Sequence, residues 1–401
     1  MKETRSASHH SDPLVLSRTE YMRLSSADQG RFRPINPRYE RLPTFCRILY
    51  AIAVACIPLY VLQRCIPSFA DFFNLHISSI CRMVLAYATG WIPFSVAECL
   101  LLSLPLILGV TVRYAIRRRC DTWRCVVVFI AILLSVLVSL GSLFVLTFSA
   151  GYYGLPLQEK MELDTGNIQD DELYDTANAL VVHLNQLHLQ ITYDSDGLSV
   201  MPYSLSEMND RLMDSYASLH DTYAFMPWLS SRVKPVLLSE GMSYLHTTGL
   251  YSFFTGESNI NVAFPDFTIP YTAAHELAHQ RGVAREDEAN FVAFLACTRS
   301  NDPYLQYCGY LNMFQYVAGA LYEKDGALYR QLYQTLSTGV QQELIAYNRF
   351  FEKYENSTAG DVSAVINNAY LQSQGTEGTI SYNLVVRLTV GLYRQERQNT
   401  P

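Results

Sequence analysis

Tyr271-Thr272-Ala273-Ala274-His275-Glu276-Leu277-Ala278-His279-Gln280-Arg281-Gly282, continued by Val283-Ala284-Arg285-Glu286-Asp287-Glu288-Ala289-Asn290, is the stretch around which the chain is organised. It contains H-E-x-x-H. Two histidines four apart on a helix lie on one face, because successive side chains turn by about 100°. Both imidazoles then reach one ion, and a glutamate after the first histidine stands beside a water on that ion. Ala273, Ala274, Leu277 and Ala278 are small or good helix formers, as a buried helix requires. Glu276 is the only charged residue other than the histidines between Tyr271 and Gln280. The competing reading is a pair of core histidines on an amphipathic helix.

A zinc site needs a third protein ligand. Gly282 is suited to end the first helix in a left-handed turn. A second helix then starts near Arg285 and runs to Cys297. Glu286, Ala289, Asn290, Ala293 and Ala296 share one stripe of it at helical spacing, small enough to lie against the Ala-rich first helix. Glu288 faces another side with Val292 and Leu295. Glu286 is therefore expected as the third ligand, with Asn290 one turn later as its supporting partner. Glu288 is the second choice. Alternatively, all three acids only favour a helix N-terminus.

H-E-x-x-H followed by E-x-x-A-N resembles the gluzincin metallopeptidases, in which a glutamate on a second helix completes a zinc site. The six residues between His279 and Glu286 are a shorter gap than in the better-known gluzincins. The chain is also similar to an uncharacterised bacterial membrane family of H-E-x-x-H proteins. The shared elements are Phe254-Thr-Gly-Glu257-Ser-Asn259-Ile-Asn261, Pro270, H-E-L-A-H-Q-R-G, E-D-E-A-N, and a Pro-Phe-Ser-x-x-Glu element at Pro93 to Glu98. That resemblance extends from about Thr44 onward and implies architecture rather than substrate.

The 401 residues suffice for one membrane region and one globular domain. Charge is divided unevenly. Residues 1–150 hold 16 Lys+Arg and 8 Asp+Glu, whereas residues 151–401 hold 14 and 29. A basic first part and an acidic second part suit opposite sides of a membrane. The acidic part argues against nucleic acid as a partner, since phosphate contacts need Lys and Arg. Seven of the nine cysteines precede residue 126, which is no disulfide framework, and Cys297 and Cys308 read as buried free thiols.

Residues 1–43 read as a disordered cytoplasmic tail, with Arg31, Arg33, Arg38 and Arg41 close to the first apolar run. Without a short apolar segment and cleavage site, this is not a removable signal peptide. Three apolar runs follow, at Thr44 to Leu62, Trp91 to Ile116 and Cys125 to Phe148. Each is long enough to cross a bilayer. Arg117 to Arg124 lies between the second and third, so that loop is expected inside and everything after Phe148 outside. The segment from Ile66 to Tyr87 suits an interfacial helix under the outer domain. Glu98 falls about two turns inside the second run and receives no role.

Beyond the membrane region, Asp170 to Gln190 has helical periodicity through Leu173, Ala177, Leu180, Val181, Leu184 and Leu187. Ser206 to Ala217 is expected as a further helix. Short strands are expected between Leu237 and Pro270, above all Ile260 to Phe264, as an edge to which a peptide could add. The chain is then helical to Tyr354, loop-like around Val362 to Leu371, and helical again from Tyr382 to Tyr393. Tyr304, Tyr307, Tyr310 and Tyr316 cluster, with core packing the expected role.

The expected fold class is thus a multi-span α-helical membrane region (residues 44–150) joined to a mainly α, α+β extracytoplasmic zincin-like domain with a small sheet (151–401). The expected function is a zinc metallopeptidase of the cell membrane. His275, His279 and Glu286 would bind Zn2+, and Glu276 would be the general base. Its partners would be the lipid bilayer and a peptide or protein substrate. The alternative is a non-catalytic, metal-stabilised membrane sensor or scaffold. Intramembrane proteolysis is disfavoured, because the motif lies some 120 residues beyond the last apolar run.

Overall fold

The structure is a computed structural model that describes residues 14–16, 21–29, 32–34, 41–118, 123–355, 357–374 and 382–399. Most of the expected N-terminal tail, and the centre of the arginine-rich loop, lie outside the described residues. Within the tail, Leu14–Leu16 (β1) pairs in parallel with Phe32–Pro34 (β2), a pairing the composition did not suggest.

Among the described residues, three helices are long and apolar enough to cross a membrane. They are Thr44–Cys65 (α1), the Val96–Ile116 part of Val96–Arg118 (α4), and Trp123–Thr147 (α5). The second begins at Val96 rather than Trp91. Pro93 disfavours helix at the residue before it, and the Ser95 hydroxyl accepts the Glu98 main-chain N–H at 3.0 Å as a cap. Glu98 therefore stands in the first turn of α4, not two turns inside it. Between α1 and α4 the chain forms Pro67–Phe73 (α2), a π-helical turn at Asn74–Ser78, and Ser79–Gly90 (α3).

The chain folds as two compact units, residues 1–55 with 102–142, and residues 56–101 with 143–401. In the first unit the Tyr50 hydroxyl donates to the Ala131 carbonyl at 2.8 Å, tying α1 to α5.

The second unit holds the large core. Asp170–Leu187 (α6) buries the six apolar residues expected of it. Leu205–Thr222 (α7) starts one residue earlier than expected, because Ser204 and Glu207 form a capping box. Thr268–Gln280 (α8) and Glu286–Thr298 (α9) follow the sheet. Pro303–Lys324 (α10), Gly326–Tyr333 (α11), Thr338–Glu352 (α12), Thr358–Ser373 (α13) and Tyr382–Asn399 (α14) complete the unit. Beyond its acidic first turn and Asn290, α9 is apolar from Phe291 to Cys297 and is enclosed by α7, α8, α10 and α14. Its Ala289, Phe291, Ala293 and Ala296 are fully buried. Each fully buried phenylalanine or leucine here stabilises the unit by roughly 1.5–3 kcal/mol. Cys297 and Cys308 are buried free thiols, as expected.

The sheet is small, in the order β3–β5–β4: Lys234–Pro235 (β3), Gly249–Ser252 (β4) and Glu257–Ile260 (β5). Two expectations fail here and nearby. Ile260 ends a strand instead of starting one, and β5 is central, so β4 is the edge beside α8. Asn261 turns the chain out of the sheet by accepting the Ala263 N–H and donating to Ser243 and the Thr247 carbonyl. The stretch around Val362 to Leu371 is helical rather than a loop, since the Ser357 hydroxyl caps α13 by accepting the Gly360 N–H.

Candidate metal centre

α8 and α9 pack face to face, and the turn between them sets the geometry of the site. Gly282 has φ +96, the left-handed conformation that closes the turn. The sharp return brings the N-terminus of α9 back beside the two histidines. His275 Nε2 lies 3.2 Å and His279 Nε2 3.6 Å from Glu286 Oε2. The three side chains bring their ligand atoms within 4.8 Å of one another, the only such His, Cys, Asp or Glu group among the described residues. The two imidazoles meet edge to face at 4.5 Å.

The opposite nitrogens are fixed. His279 Nδ1 lies 2.7 Å from the Val283 carbonyl, which only accepts, so Nδ1 carries the proton. His275 Nδ1 is 2.9 Å from Asn290 Oδ1. In its neutral form each ring therefore turns an Nε2 lone pair toward the Glu286 carboxylate. With both histidines neutral, two imidazole nitrogens and a carboxylate oxygen converge, which is the donor set and second layer of support that a zinc ion takes. The residues present fit the ion that the motif implies.

Charge reflects the same crowding. Burial lowers the affinity of His279 for a proton, but the Glu286 carboxylate beside it outweighs burial and lifts its pKa to about 9. Burial likewise raises Glu286, but the imidazoles of His279 and His275 hold it well below the usual carboxylate range. Glu276 is nearly fully buried, and burial raises its pKa to about 7 against the pull of the two histidines. Its Oε2 has no hydrogen-bond partner among the described residues. A Cβ at Gly249 would stand 2.5 Å from Glu276 Oε1, so β4 passes directly over this group.

Glu288 is engaged elsewhere. Its Oε1 accepts the Leu157 N–H at 2.8 Å and Arg285 at 3.1 Å. Tyr304 and Tyr307 are buried with Ser199 and Glu343, not beside the histidines. The aromatic residues near the centre are ones the sequence did not single out. Phe148 stands edge-on to His279 with ring centroids at 5.8 Å and packs on Tyr152 and Tyr251. The Tyr152 hydroxyl meets that of Tyr370 at 3.2 Å.

The rest of the shared motifs build the frame. Glu257 accepts the Val96 and Ala97 N–H groups at the start of α4 and pairs with Lys234 at 2.6 Å. Glu98 returns the link by accepting the Leu237 and Leu238 N–H groups. Gln280 donates to the Gly256 carbonyl at 2.6 Å, and the buried Arg281 lies over the Tyr216 ring. Glu98 thus has a structural role, although its charge pattern alone left it unassigned. The Arg82 guanidinium, fully buried in α3, holds the turn itself. It donates to the Arg281 and Thr147 carbonyls and to Asn74, while Asn74 donates to the Gly282 carbonyl.

No curated protein and no solved structure matches the chain significantly. A family model described as "Protein of unknown function (DUF3810)" matches residues 73–390, which takes in α3 to α9, the sheet and the residues converging on Glu286. The chain belongs to that family.

Proposed function

We propose that the protein is a membrane-anchored zinc metallopeptidase of gluzincin type, hydrolysing peptide bonds outside the cytoplasmic membrane. The observation that carries this reading is the convergence of His275, His279 and Glu286, with both Nδ1 atoms committed to protein acceptors. Zinc held by these three side chains would supply a Lewis acid that acidifies water and polarises a carbonyl. The chain's own residues do the rest. Glu276 takes a proton from the attacking water as its oxygen bonds the scissile carbonyl carbon. It then delivers that proton to the leaving nitrogen as the C–N bond breaks, giving a carboxylate and an amine. Its burial beside the two histidines and its unpartnered Oε2 support a role toward an external group. β4, as the edge strand beside α8, would bind an extended peptide by main-chain hydrogen bonds. The orphaned Glu276 oxygen also weighs against a purely structural metal site, where an unpaired buried carboxylate only costs stability.

The test is Glu276→Gln in the full chain. Metal content should equal that of the wild type, while hydrolysis of a degenerate peptide library falls by about 10²–10⁴-fold. Retained metal with no Glu276-dependent hydrolysis would favour the sensor or scaffold.

A further inference from the structure

The site lies far from the end of α5 in sequence but not in space. Phe148 directly follows Thr147, the last residue of α5, and its ring is the one against His279. Thr147 itself accepts from Arg82, the side chain that holds the turn between α8 and α9.

Two helices meet that last turn of α5, and both show an apolar face that no described residue covers. α3 reaches it through Arg82, and its inner side is buried against the Gly256 turn, where a Cβ would stand 2.6 Å from Leu85 Cβ. Its outer side presents Ile80, Val84 and, just past its end, Trp91, at 54%, 59% and 80% exposure. α13 reaches it through Tyr370, whose ring lies 6.4 Å from that of Phe144. It presents Val362, Val365 and Ile366, each more than half exposed.

What covers the outer face of α3 follows from connectivity. α1 ends at Cys65 and α4 begins at Val96. Two consecutive spans leave and re-enter a bilayer on the same side, so the α2–α3 segment between them is confined to that surface. A helix buried on one side and apolar on the other, tethered there at both ends, seats its apolar side in the headgroup layer. Trp91 suits that depth, where aromatic rings concentrate.

We infer that the bilayer surface covers these stripes and holds the metal centre against it, so that the substrates are membrane-tethered polypeptides cut close to where they leave the lipid. This rests on the peptidase reading above and narrows its substrate class. A soluble protein would have to thread an extended segment between the domain and the lipid. A chain rising from the bilayer beside α5 arrives at His279 after only a few residues.

The seating and the substrate class are tested separately, on the full chain in phosphatidylcholine vesicles. With Trp123→Phe and Trp228→Phe, Trp91 is the sole tryptophan. Brominated phosphatidylcholine should quench it at least about two-fold more than Trp228 in a chain carrying Trp91→Phe and Trp123→Phe. Equal quenching overturns the seating whatever the activity. A degenerate peptide library with a palmitoyl anchor at one end is then compared with the same library unanchored. Cleavage per bond should be at least about ten-fold higher within roughly ten residues of the anchor, ~35 Å of extended chain, than beyond twice that distance. Position along one tethered chain separates geometry from simple concentration on the vesicle. Even cleavage along the anchored peptides, still lost in Glu276→Gln, overturns the substrate class and leaves the peptidase standing. Absence of any Glu276-dependent cleavage in both libraries overturns the peptidase reading and this inference with it.

Discussion

Arg82 donates a hydrogen bond to the main-chain carbonyl of Arg281 at 3.2 Å, across 199 residues of sequence. The guanidinium is fully buried and also serves Thr147 and both oxygens of Asn74. A segment between two spans thereby fixes the turn that returns Glu286 to the histidines.

Arg82→Met should be strongly destabilising. It keeps the volume of the stem but leaves the acceptors unpaired, at about 1–3 kcal/mol for each that stays buried. Thermal unfolding in detergent should begin several degrees lower, and bound zinc should fall with it. A variant that melts with the wild type and retains its metal would show that the turn holds itself.

Metal analysis of the purified full chain should separate ligands from neighbours. His275→Ala, His279→Ala and Glu286→Ala should each lose most of their zinc. Glu288→Gln should keep it, because Glu288 already bonds Leu157 and Arg285. Asn290→Ala removes the partner of His275 Nδ1 and should weaken zinc binding by about 10–100-fold. Full zinc in Glu286→Ala would remove that residue from the ligand set.

Gly249→Val should lower hydrolysis at least about ten-fold while leaving zinc in place, since a side chain there displaces the general base. The new Cβ would meet Glu276 Oε1 at 2.5 Å, Glu276 Cγ at 2.7 Å and Thr272 Cγ2 at 2.8 Å. Unchanged cleavage of a peptide library would mean that Glu276 has room to act from another position.

Glu343 offers a pH test well away from the metal. Its buried carboxylate accepts from Ser199 N, Ser199 Oγ and Tyr307, yet burial still raises its pKa above the ordinary value. The folded chain therefore binds the proton more tightly than the unfolded chain does. Stability from this group is fully present below the unfolded pKa, near 4.3, and declines as pH rises through the higher folded value. The stability of the wild type relative to Glu343→Gln should thus fall from acid toward neutral pH in parallel thermal melts. A pH-independent difference would contradict the raised value.

Three apolar runs of spanning length, the helix carrying His275 and His279, the Gly282 turn and the placement of Glu286 rather than Glu288 beside the histidines were all readable in the chain. Hydrophobic run length and side-chain spacing are local properties, and a left-handed turn needs a residue without a Cβ. The start of α4 and the helix at Thr358–Ser373 were misread because single hydroxyl caps at Ser95 and Ser357 decide them. Only tertiary structure decided that Phe148, Tyr152, Tyr251 and Tyr370 gather near the centre, and that Arg82, Glu98 and Glu257 bind the segment between the spans to the core. Those pairings join residues far apart in sequence, 139 positions for Glu98 to Leu237 and 218 for Tyr152 to Tyr370. Nothing in the local pattern of a buried arginine or glutamate names its partner, because what selects the partner is the cost of leaving a charge unpaired once the whole chain has closed around it.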